Sequence, residues 1–458
     1  MSDLDIAQQT EDQAVLAVLA KESKSDKARQ TAAGRLTDQA LLADVAQHSG
    51  DPYVRYSAVA QLDSQELLTK LALEDGAPQI RQLAVGMLKD QAGIEQAAGD
   101  TDPQVRQVAA YRLTHQAPLT KLALNDIDPG VRAAATHGLT NQKTLGAIAS
   151  HDDNLSVRKI AVSRLTDQEI LKGFALSDKD RDIRITATGG LSDQKTLALL
   201  VATDTDKYVR QAAVEKIDDQ KTLERVALSD TYEFVRQAAV NRLENQKILE
   251  RVATTDIDGD VRLGAVLRLR DQATLVRLAT TSLDAEVRYS AVDCLDDQRT
   301  LVRLAQEDLD PELRLRAARR VSDAATLSAI VLHERDPEVR EVVIKRVTDQ
   351  ATLAQVALDQ SSSRDVREAA IYRSKDQPTL ERIALEDPSW ALRQVAVWRL
   401  ESKELLARIA AEDKDVEVRR VAQEKLAKLQ PKLSDLDLPA EVPEPSLSAS
   451  ESGPDLEH

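Results

Sequence analysis

An arginine returns every 26 residues along this sequence, and no other feature constrains the fold as tightly. Sixteen arginines from Arg29 to Arg419 share the register, and only two intervals depart from it: 25 residues from Arg81 to Arg106 and 27 from Arg340 to Arg367. Self-similarity at a fixed period of this size marks a repeat architecture. With the arginine as position 0, apolar or small residues hold −1, +3, +4 and +7, as in Val261, Ala265, Val266 and Leu269 around Arg262. That spacing is one face of a helix. Leu275, Leu278 and Ala279 at +13, +16 and +17 mark a second, shorter amphipathic helix. Each unit reads helix–turn–helix, here helix A then helix B, each of about ten residues.

The turns carry their own chemistry. Asp is frequent at −4 and often precedes Pro, as in Asp102-Pro103, Asp128-Pro129, Asp310-Pro311 and Asp336-Pro337. This is the pattern of an N-cap with Pro at the first helical position. Asn141, Asp167 and Asp271 at +9 are placed to cap helix B. Helices this short are marginal alone in water, so stacked neighbours must supply the missing burial. The expectation is an all-α fold, an α-solenoid superhelix of about sixteen 26-residue helix-turn-helix repeats over residues 23–430. Residues 1–22 read as a capping segment, because Asp12-Gln13 matches the +9/+10 pair without a repeat arginine. Residues 431–458 are Pro/Ser-rich, with one Lys against seven Asp+Glu, and read as a disordered acidic tail. Its end, Leu456-Glu457-His458, reads as a tag remnant.

The repeat arginine lies within the apolar stripe. A guanidinium turned inward must be paired, or its desolvation is prohibitive. The recurrent Asp at −6, −4 and +9 are the available partners, which predicts an Arg–Asp ladder from unit to unit. Gln at +10, as in Gln142, Gln168 and Gln272, is expected in the same network. Gly189-Gly190 falls inside an A-helix and leaves two readings open, a weak point or close packing.

Composition narrows the function classes. Aromatics are 2% of the chain, so Ala, Leu and Val must build the core. One cysteine, Cys294, excludes a disulfide framework or a Cys-rich metal site. The six histidines form no H-x-H or H-E-x-x-H pattern, and no nucleophile-elbow or phosphate-loop motif occurs. Asp256-Ile257-Asp258-Gly259-Asp260 superficially resembles a calcium loop, but Val261 and Leu267 stand where Gly and Glu are required. No cofactor, metal or catalytic residue is expected. There is no apolar run of membrane-spanning length, and the polar start is no signal peptide, which points to a cytoplasmic protein.

The D-P-x-V-R-x-x-A-V-x-x-L pattern over residues 12 to about 430 resembles the HEAT-like α-solenoid repeats, especially the short type of phycobilisome lyases. Its V-R and L-A rhythm is also similar to variant leucine-rich repeats, although their cysteine cluster is missing. The resemblance implies a curved interaction scaffold. The leading functional expectation is a non-enzymatic protein-binding scaffold of bacterial type. A nucleic-acid-binding HEAT-like protein is the alternative, against which the net charge of −16 counts. A lyase or chaperone handling a chromophore is a third.

Where the repeats differ, a site can lie. Position +5 is central on the exposed arc of helix A, and +6 flanks it, usually as Arg or Lys. Four successive C-terminal units read Arg319-Arg320, Lys345-Arg346, Tyr372-Arg373 and Trp398-Arg399, with Trp390 nearby. This basic, partly aromatic strip is the candidate grip for a protein partner with an acidic segment; its other reading is a solvated face whose +6 side chains pair with loop Asp and lie over apolar neighbours. The acidic tail is a candidate competitor for it.

Overall fold

The computed structural model describes residues 2–429, and 33 helices and no strand occur among them. Two form a cap, thirty form fifteen A/B pairs, and one closes the series. Backbone contacts divide the chain into two compact units, Met1–Val252 and Ala253–His458. The first begins with the cap pair and continues through the repeats of Arg29 to Arg236. The second holds the repeats of Arg262 to Arg419. The last helix, Val416–Leu429, runs to 14 residues and packs on the preceding A-helix and B-helix. The expected tail at 431–458 lies outside the described residues.

Local chemistry sets the helix boundaries. In Pro103–Arg112 the Asp102 carboxylate accepts from the Gln104 and Val105 amides, and Pro103 holds the first position, where no N–H is required. In helix B, Asp167 accepts from Glu169 and Ile170 N–H. The Asp at +9 thus caps its own helix and pairs with the backbone there. The apolar +7 residue departs from expectation. Leu113, Leu139 and Leu269 are C-caps with extended backbone, yet each stays buried. The residue that ends helix A therefore also plugs the core.

The core is built from small contacts. Around Arg132, Val131, Ala134, Ala135 and Leu139 from helix A meet Leu145, Ile148 and Ala149 from helix B, all at most 2% exposed. Alanine at +3, present in all but one repeat, lets successive A-helices approach closely within each compact unit, and the B-helices pack more loosely on one another.

Three ladders join neighbouring units. In the first, the repeat arginine reaches the −6 carboxylate of the next unit. Arg81 Nε and Nη2 donate to Asp100 at 2.6 and 2.8 Å, and Arg106 does the same to Asp126 at 2.8 Å for both bonds. Arg106 Nη1 also donates to the Asp100 carbonyl at 2.9 Å, so Asp100 receives one arginine on its side chain and another on its backbone. Its carboxylate closes the turn by accepting from Asp102 N–H at 2.7 Å. Burial alone would push the Asp100 carboxyl up, but Arg81 and this amide outweigh it and hold it below the ordinary aspartate range. Where Ser replaces Asp at −6, the −4 aspartate takes the pair, as in Arg29–Asp51 and Arg262–Asp284. Arg288 also takes the −4 residue, Asp310, although Asp308 holds −6, and Tyr289 OH donates to the same carboxylate.

The second ladder runs along the other turn, separate from the arginines. Gln168 Nε2 donates to Gly190 O at 3.1 Å, and its Oε1 accepts from Ser192 N–H at 2.8 Å. The +10 glutamine therefore ties helix B of one unit to the A–B turn of the next, and the expected shared network is two networks.

The cap ends the first ladder. In the register of the repeats, Asp3 stands at position 0 and Ser23 at −6, and Asp3 Oδ2 accepts from Ser23 Oγ at 2.7 Å. The charge pair is exchanged for one hydroxyl–carboxylate bond where no earlier unit exists. The two length slips are absorbed at helix ends. Near Gly99, helix B shortens to Gln91–Ala97. At the inserted serines, Asp359 accepts from Ser361 Oγ at 2.6 Å and Ser362 Oγ at 2.5 Å. These bonds lower its carboxyl to about 2, and Arg340 reaches it only at 3.5 Å.

Candidate partner-binding surface

The +6 residues of the strip form the third ladder. Arg320 Nε donates to Leu295 O at 2.9 Å and its Nη2 to Asp296 at 2.9 Å. Arg346 Nη1 donates to Ala318 O at 2.6 Å and Arg319 O at 2.9 Å. Arg373 reaches Val347 O at 3.1 and 3.0 Å, and Arg399 reaches Ser374 O at 3.1 Å. All four are half-buried. Each guanidinium caps the C-terminal end of the preceding A-helix, where carbonyls lack partners and the helix dipole favours a cation. Arg35, Arg112 and Lys216 make the same contact to Ala7, Leu88 and Gly189 carbonyls in the first unit. The +6 column is therefore mainly an inter-unit cap. Arg320 and Arg242 do pair with the turn aspartates Asp296 and Asp218, but the commoner partners are the carbonyls at the preceding helix end, which the sequence reading did not include.

The +5 residues behave differently. Arg319, Lys345, Tyr372 and Trp398 are exposed. Lys345 pairs with Glu341 on its own helix at 2.7 Å. Tyr372 and Trp398 occupy the same position on successive A-helices, Arg364–Arg373 and Trp390–Arg399, and are 69% and 42% exposed. The Arg399 guanidinium lies 5.9 Å from the Tyr372 ring centre. Trp398 faces two ammonium groups of the last helix, Lys428 at 4.3 Å and Lys425 at 5.9 Å. Trp390 does not join this group. It starts its helix eight residues before Trp398, which places it about 12 Å away along the axis.

Lys425 and Lys428 escaped the sequence reading. Lys425 falls on the +6 column of the last unit, so the register contained its signal. Lys428 had none, because it lies in the extra turn that only this A-helix possesses. A second exposed aromatic cluster, in the first unit, also escaped. Lys207 lies 4.7 Å from the Tyr232 ring and 5.3 Å from the Tyr208 ring, and Tyr232 occupies an N-cap position without a side-chain cap.

No group of three or more metal-ligating side chains occurs among the described residues, and no helix there is long and apolar enough to cross a membrane. The Cys294 thiol is half-buried, and burial raises its pKa. Asp258, in the calcium-like run, accepts from Val261 N–H as a helix cap.

No protein-family model matches this sequence, and no curated protein matches it. Among solved structures, the chain is similar to a leucine-rich repeat variant with a novel repetitive motif, at 26% identity over 51% of this chain and 88% of that one, with a TM-score of 0.39. It is similar to importin beta at 12% identity, covering 93% of this chain and 72% of that chain, with a TM-score of 0.35. A chain of the S. pombe condensin Cnd3–Cnd2 subcomplex aligns at 14% identity over 92% and 78% of the two chains, with a TM-score of 0.26.

Proposed function

We propose that this chain is a non-enzymatic scaffold that binds a protein partner through the A-helices of its second unit, and that the partner presents an acidic segment. Arg319, Lys345, Tyr372 and Trp398 are the contact residues at +5, and Lys425, Lys428 and Arg399 supply positive charge beside the rings. Arg320, Arg346 and Arg373 support the surface by fixing successive A-helices. The observation that carries this reading is the pair of exposed rings on adjacent helices, each with a cation at its face, in a chain otherwise poor in aromatics. An aromatic ring backed by a cation offers apolar area and a carboxylate partner together, the combination that concentrates binding energy at interfaces.

A fluorescently labelled peptide of ten glutamates tests it against the full chain by anisotropy. Binding by the parent, weakened at least about tenfold in Tyr372→Ala/Trp398→Ala, is the expected result. Equal affinity in parent and variant overturns the assignment. Duplex DNA binding the same surface, with a steep salt dependence, would favour a nucleic-acid role instead.

A further inference from the structure

The turn between helix B and the next helix A has its tip at −5, and the residues there divide sharply. Most units place Gly, Thr, Asp, Lys, Arg, Ser or Pro at the tip. Three successive units of the second compact unit place Ile257, Leu283 and Leu309, which are 91%, 100% and 96% exposed. Isolated exposed aliphatics are ordinary, and Ile127 in the first unit is one, at 90%. Three in register on adjacent units form a row. Their side chains touch no core, so folding does not require them.

The surroundings of the row are acidic. The turn segments 256–260, 282–286 and 307–312 contain nine carboxylates and no Lys or Arg. The cations beneath are already committed to the ladder: Arg262 to Asp284 at 2.6 Å, Arg288 to Asp310 at 3.3 Å and Arg314 to Glu334 at 2.8 Å. Asp260, Glu286 and Glu307 remain exposed beside the apolar tips. This field repels nucleic acid and anionic lipid surfaces. It repels equally the acidic tail of this chain, which carries one Lys against seven carboxylates.

We infer that the Ile257–Leu283–Leu309 row is a docking edge for a basic amphipathic helix of a partner protein. Stacked helices repeat at about 8–10 Å, so the three tips follow at about that interval. A helix lying along the row meets each tip with an apolar residue about every seven positions, a rise of about 10.5 Å. Its Lys or Arg residues then face the flanking carboxylates. This edge lies on the turns, apart from the +5 surface on the A-helices, and it selects the opposite charge.

The test uses the full chain and a labelled 18-residue helical peptide of leucine and lysine, with leucines along one face. A matched peptide with glutamate for lysine and neutral phosphatidylcholine vesicles serve as further probes. The expected result is binding of the leucine–lysine peptide that drops at least tenfold in Ile257→Ser/Leu283→Ser/Leu309→Ser and is unchanged in Ile127→Ser and Trp398→Ala. Circular dichroism should be identical for the parent, the triple variant and Ile127→Ser, since those replaced side chains are in solvent. Equal binding by the triple variant overturns the inference. So does equal binding of the glutamate peptide, vesicle binding that depends on the row, or row-dependent self-association of the chain without peptide binding.

Discussion

At the scale of single residues, one arginine per repeat explains most of the register. Arg393 is the extreme case, 1% exposed, with two bonds to Asp413 at 2.9 Å and a third to the Asp387 carbonyl at 3.0 Å. A buried pair of this kind stabilises only while both members are present, because a lone carboxylate cannot recover its hydration. Arg393→Met is expected to lower the stability of the second compact unit by about 3–5 kcal/mol. The double variant Arg393→Met/Asp413→Leu should recover most of that loss. Urea unfolding of both variants measures the difference, and equal losses would mean that the pair matters only as packing.

At the scale of the helix, Gly189 and Gly190 separate the two readings that the sequence left open. Both lie in the continuous helix Arg181–Gly190. A Cβ on Gly190 would stand 2.9 Å from Leu171 Cδ1, whereas one on Gly189 would meet nothing within 4 Å. Gly138 repeats the contact against Leu119 at 2.9 Å. Adjacent glycines therefore have opposite roles: Gly190 permits close packing, and Gly189 only weakens the helix. Gly190→Ala should destabilise by about 1–3 kcal/mol through overpacking. Gly189→Ala should stabilise by up to about 1 kcal/mol through helix propensity. Thermal melts of the two single variants give the signs directly.

At the scale of the whole molecule, each repeat meets chiefly its neighbours, so stability is a sum over units and the interfaces between them. Deleting residues 126–151 would remove one A-helix and one B-helix and bring Asp152 to the position Asp126 now holds before Arg106. The Gln116 ladder would likewise meet Thr166 in place of Thr140, which it now binds at 3.0 Å. This 26-residue deletion is expected to yield a folded chain with helical circular dichroism and a single cooperative melt. Deleting 126–138 alone, half a period, should abolish folding of the first unit. A folded product from the half-period deletion would contradict the ladder account.

Much of this was legible because it is periodic. The Asp caps, the apolar positions and the arginine with its acidic partner each recur often enough that their spacing alone assigns the helices and turns. A repeated pattern, however, cannot say which of two nearby groups a side chain will choose. The sequence placed Arg320, Arg346, Arg373 and Arg399 on an outward arc, and only the stacked helices bring the carbonyls of the preceding unit within their reach. It likewise could not place Lys428 at the Trp398 ring, or show that Leu139 leaves its helix and still fills the core. Local spacing determines which face of each short helix is apolar. Which long side chains stay free for a partner is decided by the neighbouring unit, because an uncapped helix end claims the nearest cation first.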